Sequence, residues 1–314
     1  MLRNRHRAHA RPRFKAPAHE NDGGTAHGLT AGEPGLAATA TAALSFPVLP
    51  PGHPLNTSIA QASPFSARRV LWSACNAAQL AFTLAWTGGW IVLALLLRGL
   101  GGGRHWPLRM ASRCWAPGLL RGAGARLRIE GLEHIDWSQP HVFVANHQSM
   151  IDICALFRAI PVPLRFVLKQ ELARVPLVGW YARAMGMVFI ERGQARSAAR
   201  RLRTAVRMVR GGASLCAFPE GTRSRNGTVA PFKGGAFQVA IAAGAPVVPV
   251  AIHGSGAVLP AAGFRVRPGT ITVRLGVPLP TSQLQTGDRH ALAQRAQAAV
   301  TRLLSARAGA SSPG

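Results

Sequence analysis

Acidic residues and lysine are scarce in this chain. Eleven Asp and Glu stand against 37 Lys and Arg over 314 residues, and only Lys15, Lys169 and Lys233 are lysines. A formal net charge of +26 repels itself unless something anionic faces it, so the partners it admits are nucleic acid, acidic phospholipid headgroups and acidic carrier proteins. Heavy Ala, Arg and Gly usage is also what a GC-rich genome produces, and charge alone does not choose among these. Cysteine is equally thin. Cys75, Cys114, Cys154 and Cys216 lie far apart with no C-x-x-C pair, which excludes a zinc spacing and a disulfide framework and fits reduced thiols facing cytosol or lipid. No G-x-S-x-G stretch occurs, so there is no nucleophile elbow. No apolar core follows the basic opening R-N-R-H-R-A-H-A-R-P-R-F-K within signal-peptide distance, which argues against a secretory signal.

What is present divides the chain into four parts. Residues 1–65 are rich in Ala, Pro, Gly, Thr and His without apolar periodicity and read as a disordered basic tail. Its basic cluster is a solvated tail, an upstream extension from a misplaced start codon, or a contact for anionic lipid or nucleic acid. Residues 66–120 read as a membrane-associated helical segment. From Val70 to Leu97 there is no charged residue, a run longer than the roughly 20 residues that cross a bilayer as a helix. Asn76 and Gln79 weaken its first half, and Gly88–Gly89 are a place for a kink. One spanning helix and a bent hairpin embedded from one face both fit; a buried helix of a soluble domain is the third option. Arginines flank both ends, so the positive-inside rule does not orient it. Trp106 and Trp115, interspersed with arginine, read as interfacial.

From residue 121 to 304 the pattern is β/α, and from 305 a flexible tail follows. Apolar runs at 125–130, 142–146, 164–168, 187–190, 214–218, 247–252 and 271–275 read as strands with helical patterns between several of them. One such helix carries Leu202, Ala205, Val206 and Val209 on one face, with Arg200, Arg203, Arg207 and Arg210 largely on others. Another runs from Asp288 to Leu304. The alternation predicts an α/β fold: a single domain with a central, mostly parallel mixed sheet flanked by helices, preceded by the membrane-associated segment.

Two short segments carry the chemistry. N-H-Q-S-M-I-D at 146–152 holds His147 and Asp152, which point in different directions if the segment is one continuous helix. They touch only if His147 lies in the turn after the strand and Asp152 in the first helical turn, where a carboxylate is favoured. A carboxylate on one ring nitrogen then fixes the tautomer and balances the charge formed when the other accepts a proton. Ser149 shapes this turn. A base without a protein nucleophile points to activation of a substrate hydroxyl. F-P-E-G-T-R at 218–223 supplies Glu220, Gly221 and Arg223: the glycine permits a sharp turn, arginine's planar fork suits phosphate, and Glu220 aligns that arginine or contacts a hydroxyl. Arg192, Lys169 and Lys233 lie near strand ends or glycines, where an anion is well received in an α/β sheet.

These segments resemble the lysophospholipid acyltransferase family, in particular the PlsC-type 1-acylglycerol-3-phosphate acyltransferases, over residues 125–280. The resemblance implies that His147 is the base and Asp152 its partner. It also implies that F-I-E-R with Arg192 and F-P-E-G-T-R-S hold the acceptor's phosphate and glycerol, that Pro249 of V-V-P-V-A-I shapes the acyl site, and that Lys169 is a further basic contact. The expected activity is transfer of a fatty acyl group from acyl-CoA or acyl carrier protein to a lysophospholipid hydroxyl, giving phosphatidic acid when the acceptor is 1-acylglycerol-3-phosphate. The expected site is the cytoplasmic side of a bacterial inner membrane, with anionic lipid as a partner and no metal or redox cofactor. A lyso-ornithine lipid is the alternative acceptor. A non-catalytic membrane tether with a nucleic-acid-binding arm is the alternative of another class; the arm lacks interleaved aromatics and a reader motif.

Overall fold

A computed structural model describes residues 67–190 and 195–306; the basic tail of residues 1–65, Arg192 and most of the final tail lie outside the described residues. Seven strands form one sheet: β1 Ala125–Glu130, β2 Val142–Ala145, β3 Leu164–Lys169, β4 Val188–Ile190, β5 Ser214–Ala217, β6 Val247–His253 and β7 Gly269–Leu275. Each matches an expected run to within two residues. The order is β1-β7-β6-β2-β5-β3-β4. Every pairing is parallel except β6 with β7. The sheet is therefore mixed and mostly parallel. β2 and β5 are buried along their whole length. Central parallel strands covered on both faces have this character, which is why V-F-V-A and S-L-C-A show no polar alternation.

The helices are α1 Ala67–Gly99, α2 His105–Met110, α3 Ala116–Gly122, α4 Ile151–Ala159, α5 Val178–Met185, α6 Ala195–Arg210, α7 Gly235–Ala243, α8 Ser255–Val258 and α9 Arg289–Ser305. A π-helical turn, Ala111–Trp115, joins α2 to α3. Alternate residues of β2 divide the core. Phe143 and Ala145 pack with α3 and α4, whereas Val142 and Val144 pack with α6, α7 and α9. The described residues, 67–190 and 195–306, belong to one compact unit.

α1 is continuous for 33 residues, about 50 Å, through Gly88–Gly89. The hairpin expected as one option within 70–97 is thus absent, and residues 69–99 are long and apolar enough to cross a membrane. Yet α1 is also seated on the domain. Phe82 covers Gly122 and Trp86 covers Gly118, each occupying the space a Cβ would need. Trp86 Nε1 donates to the Trp115 carbonyl (3.1 Å), and Trp115 Nε1 donates to Thr87 Oγ1 (3.2 Å). Asn76 Oδ1 accepts from the Val266 amide at 3.0 Å, and Ile91 and Ala94 are buried. Trp115, expected at the headgroup level, is instead a wedge between α1 and Phe157 of α4, because its indole finds both an apolar wall and a hydroxyl there. Trp106 remains exposed, and Leu84, Leu93 and Leu96 face outward along the other side of α1.

Gly118→Ala tests this seat. The added methyl displaces the Trp86 indole, and overpacking of this kind costs about 1–3 kcal/mol. Limited proteolysis in detergent micelles should cut between α1 and α3 faster in the variant. An unchanged cleavage pattern and an unchanged melting temperature would contradict the packing described.

Candidate active site

β2 and β5 are neighbours in parallel register, Val142 opposite Leu215 and Val144 opposite Ala217. The loops that follow them therefore emerge side by side at the carboxyl end of the sheet. The helix after β2 (α4) packs on one face of the sheet and the helix after the β5 loop (α7) on the other. Chains that diverge in this way leave a crevice between them, the usual binding position in an α/β sheet. N-H-Q-S-M-I-D lines one side of it and F-P-E-G-T-R the other.

His147 lies in the turn after β2, and Asp152 in the first turn of α4, the arrangement their spacing required. His147 Nδ1 is 2.8 Å from Asp152 Oδ2. The same oxygen accepts from the amides of Gln148 and Ser149, both at 2.8 Å. A fully buried carboxylate thus receives two fixed backbone donors at a helix N-terminus, which keeps it an acceptor toward the ring. In the neutral ring this contact favours the tautomer with the proton on Nδ1 and the lone pair on Nε2. Ser149 is buried, donates to the Leu259 carbonyl at 2.5 Å and accepts from the Ile151 amide at 3.3 Å. Its hydroxyl holds the turn.

Glu220 is engaged by the backbone of both loops. It is buried, and its two oxygens are taken by backbone: Oε1 accepts from the His147 amide at 2.7 Å and Oε2 from the Ala230 amide at 2.9 Å. Among the described residues it forms no ion pair with Arg223. Burial pushes its carboxyl above the usual range, against the opposing pull of the two amides. The Ser224 amide donates to the His147 carbonyl at 2.7 Å, so both backbone groups of His147 are tied to the second loop. Gly221 adopts φ 75°, the left-handed conformation that lets this loop turn.

Two residues to which the motifs assign no role complete the frame. Asn146 is buried, donates to the Ile252 carbonyl (2.9 Å) and accepts from the Ile252 amide (2.7 Å). Its side chain continues the β2–β6 ladder one residue past the end of the strand. Phe218 stacks on the His147 ring, with centroids 3.9 Å apart and planes 14° from parallel. An amide at the end of an apolar strand was the signal for the first; nothing local marks the second.

Arg223 is exposed at the rim. Among the described residues it is the single charged one lining an apolar cavity of about 400 Å³, whose walls include Trp90 and Ile91 of α1, Met150 and Ile151 of the His147 turn, Phe157 and Phe166. Cys154 also faces this cavity, and burial, with a contribution from Asp152, pushes its thiol up to about 12, so it is no thiolate at neutral pH. Lys233 is exposed, and its backbone amide donates to the Pro219 carbonyl at 3.1 Å, which places it beside the second loop. Lys169 is exposed at the end of β3. Pro249 is not a cavity residue. It lies within β6 between Val248 and Val250, which both point to the cavity's face of the sheet, and packs beside Gly276. Among the described residues, no group of three His, Cys, Asp or Glu could hold a metal ion.

Glu220→Gln separates a bracket from a ligand. Glutamine offers one oxygen to two amides and turns its NH2 on the other, leaving a buried donor unmet at about 1–3 kcal/mol. Urea unfolding should register that loss, and turnover should fall as the His147 backbone loses its anchor. A variant of wild-type stability would show that the bracket does not form.

The Acyltransferase family model matches residues 126–253, a span that contains both loops. A chloroplastic 1-acyl-sn-glycerol-3-phosphate acyltransferase of Brassica napus is 41% identical over 133 residues, 42% of this chain but 38% of the relative. The chain thus spans well under half the length of that plant relative. The alpha form from Homo sapiens is 31% identical over 230 residues, covering 72% of this chain and 81% of the human protein. The crystal structure of the 1-acyl-sn-glycerophosphate acyltransferase PlsC from Thermotoga maritima superposes with a TM-score of 0.64 at 26% identity, over 78% of this chain and 98% of that one. With the His147–Asp152 turn and the Glu220–Arg223 loop both inside the matched span, the chain belongs to the 1-acyl-sn-glycerol-3-phosphate acyltransferase family.

Proposed function

We propose that this protein transfers a fatty acyl group from a thioester, acyl-CoA or acyl carrier protein, to the free hydroxyl of 1-acylglycerol-3-phosphate. The observation that carries the reading is His147, tethered by Nδ1 to a buried Asp152, beside an apolar cavity whose lone charged wall residue is Arg223. The acceptor hydroxyl gives its proton to Nε2 as its oxygen attacks the thioester carbonyl. Asp152 balances the positive charge on the ring. When the C–S bond breaks, the imidazolium returns the proton to the departing thiolate. No covalent acyl-enzyme is needed: the Ser149 hydroxyl is engaged and the Cys154 thiol is protonated.

The cavity suits an alkyl chain, since about 0.8 kcal/mol per buried methylene favours burial there. Arg223 at its rim suits the acceptor's phosphate, and Lys233 and Lys169 are further cations on the same end of the sheet. α1 supports a membrane location. One side of α1 is seated on Gly118, Gly122 and Trp115, while Val70, Trp72, Leu84, Val92, Leu93 and Leu96 stay exposed for lipid, so we place it lying in one leaflet of a bacterial inner membrane, with the catalytic loops on the cytoplasmic side.

Mass spectrometry of products formed by the purified protein from acyl-CoA and a panel of lysolipids tests this reading. Phosphatidic acid should form in preference to acylated lyso-ornithine lipid, and His147→Ala should lower turnover by about a hundredfold or more. Free fatty acid without a lipid product would instead identify a hydrolase. Arg223→Ala should raise KM for the phosphate-bearing acceptor by about tenfold, the effect of removing one charge-assisted hydrogen bond. An unchanged acceptor preference would remove Arg223 from the phosphate site.

A further inference from the structure

The transfer chemistry makes no use of α6. This helix starts after β4, at the carboxyl end of the sheet where His147 lies, and runs back over the face shared with α7 and α9. At 100° per residue, Arg200, Arg203, Arg207 and Arg210 fall within an arc of about 80° and extend for about 15 Å. Ala205 and Val209 of the same helix are buried, while these four arginines are exposed. Arg210 donates to the Ala242 carbonyl at 2.6 Å. None of the four has a carboxylate partner among the described residues, and α6 itself contains no acidic residue.

A solvated helix face normally interleaves both signs, because like charges three and four apart repel. Among the described residues no carboxylate pairs with these four arginines to offset that repulsion. The row is linear and does not converge on a point, which suits a series of carboxylates on a folded partner better than a single phosphate. It also faces away from lipid. α1, with its outward leucines, packs on α3 and α5 over the Phe143 face of the sheet, whereas α6 covers the Val142 face.

We propose that the Arg200–Arg210 stripe of α6 is the docking surface for an acidic protein that delivers the acyl group as a thioester, an acyl carrier protein. The proposal rests on the acyl-transfer reading above and selects between its two donors. Electrostatic steering by such a row raises the rate of encounter, and the stripe leads from the partner's seat toward the loops that hold His147.

The test uses the full chain in detergent micelles, with acyl-carrier protein and acyl-CoA bearing the same chain as alternative donors. Arg203→Glu/Arg207→Glu should lower kcat/KM for the carrier-borne donor by about tenfold or more at low salt, with the gap closing as salt rises. Turnover of acyl-CoA and cosedimentation with phosphatidylglycerol vesicles should not change. Equal losses with both donors, or no loss with either, would overturn the proposal. So would an effect confined to vesicle binding or to nucleic-acid retention, each of which would assign the stripe to that anion. A wild-type protein that uses acyl-CoA and ignores the carrier would remove the docking surface and leave acyl transfer intact. Failure with both donors would remove acyl transfer itself.

Discussion

The parallel pairing of β2 with β5 is the constraint on which the site depends. It brings together two loops 73 residues apart in the chain, measured between His147 and Glu220, and it aligns them so closely that one loop's carboxylate can hold the other's backbone. Parallel neighbours need long connections, so every intervening element, from α4 through β3, α5, β4 and α6, serves as the crossover that makes this contact possible. The crossover also carries the cavity wall from Phe157 to Phe166 and the basic helix α6.

Two buried carboxylates hold the His147 turn from opposite directions. Asp152 acts within its own segment, gathering three donors on one oxygen; Glu220 acts across the crevice, with one amide on each oxygen. A buried anion is costly unless its partners are already in place, and backbone amides are the partners that need least ordering. The result is an imidazole fixed by its ring, its amide and its carbonyl, with Phe218 stacked on its face. Only Nε2 is left to act on a substrate. In the proposed transfer such a ring would take and return a proton without changing its position, which is what electrostatic preorganisation requires.

Local pattern makes the His147–Asp152 turn legible, because its geometry depends on six consecutive residues and on the end of one strand. The strands are legible for the same reason: burial on both faces leaves unbroken apolar runs such as V-F-V-A. Glu220 is not, because its partners, the amides of His147 and Ala230, carry no side-chain signature. A glutamate beside an arginine suggests a pair, and nothing in E-G-T-R reveals that the two diverge. Pro249 differs from its expected place through a matter of parity, since one residue along β6 decides which face of the sheet a side chain meets. Hydropathy measures the length of α1 correctly but is silent on its seat. That seat consists of two missing side chains, at Gly118 and Gly122, and two aromatic rings that fill the gaps.

The notched seat of α1 has a kinetic consequence. A helix seated on its own domain at points spread over about 27 Å from Asn76 to Ala94 is closed to lipid on that side, and in the proposed one-leaflet placement it would behave as a float. Acceptors would then enter sideways from one leaflet, and product would return to that same leaflet. The concentration that governs turnover becomes the mole fraction of acceptor in the surface, not its amount per litre. Diluting the acceptor with inert lipid at constant bulk concentration would slow such a catalyst, and the two halves of the bilayer would be supplied unequally until another agent moved lipid across.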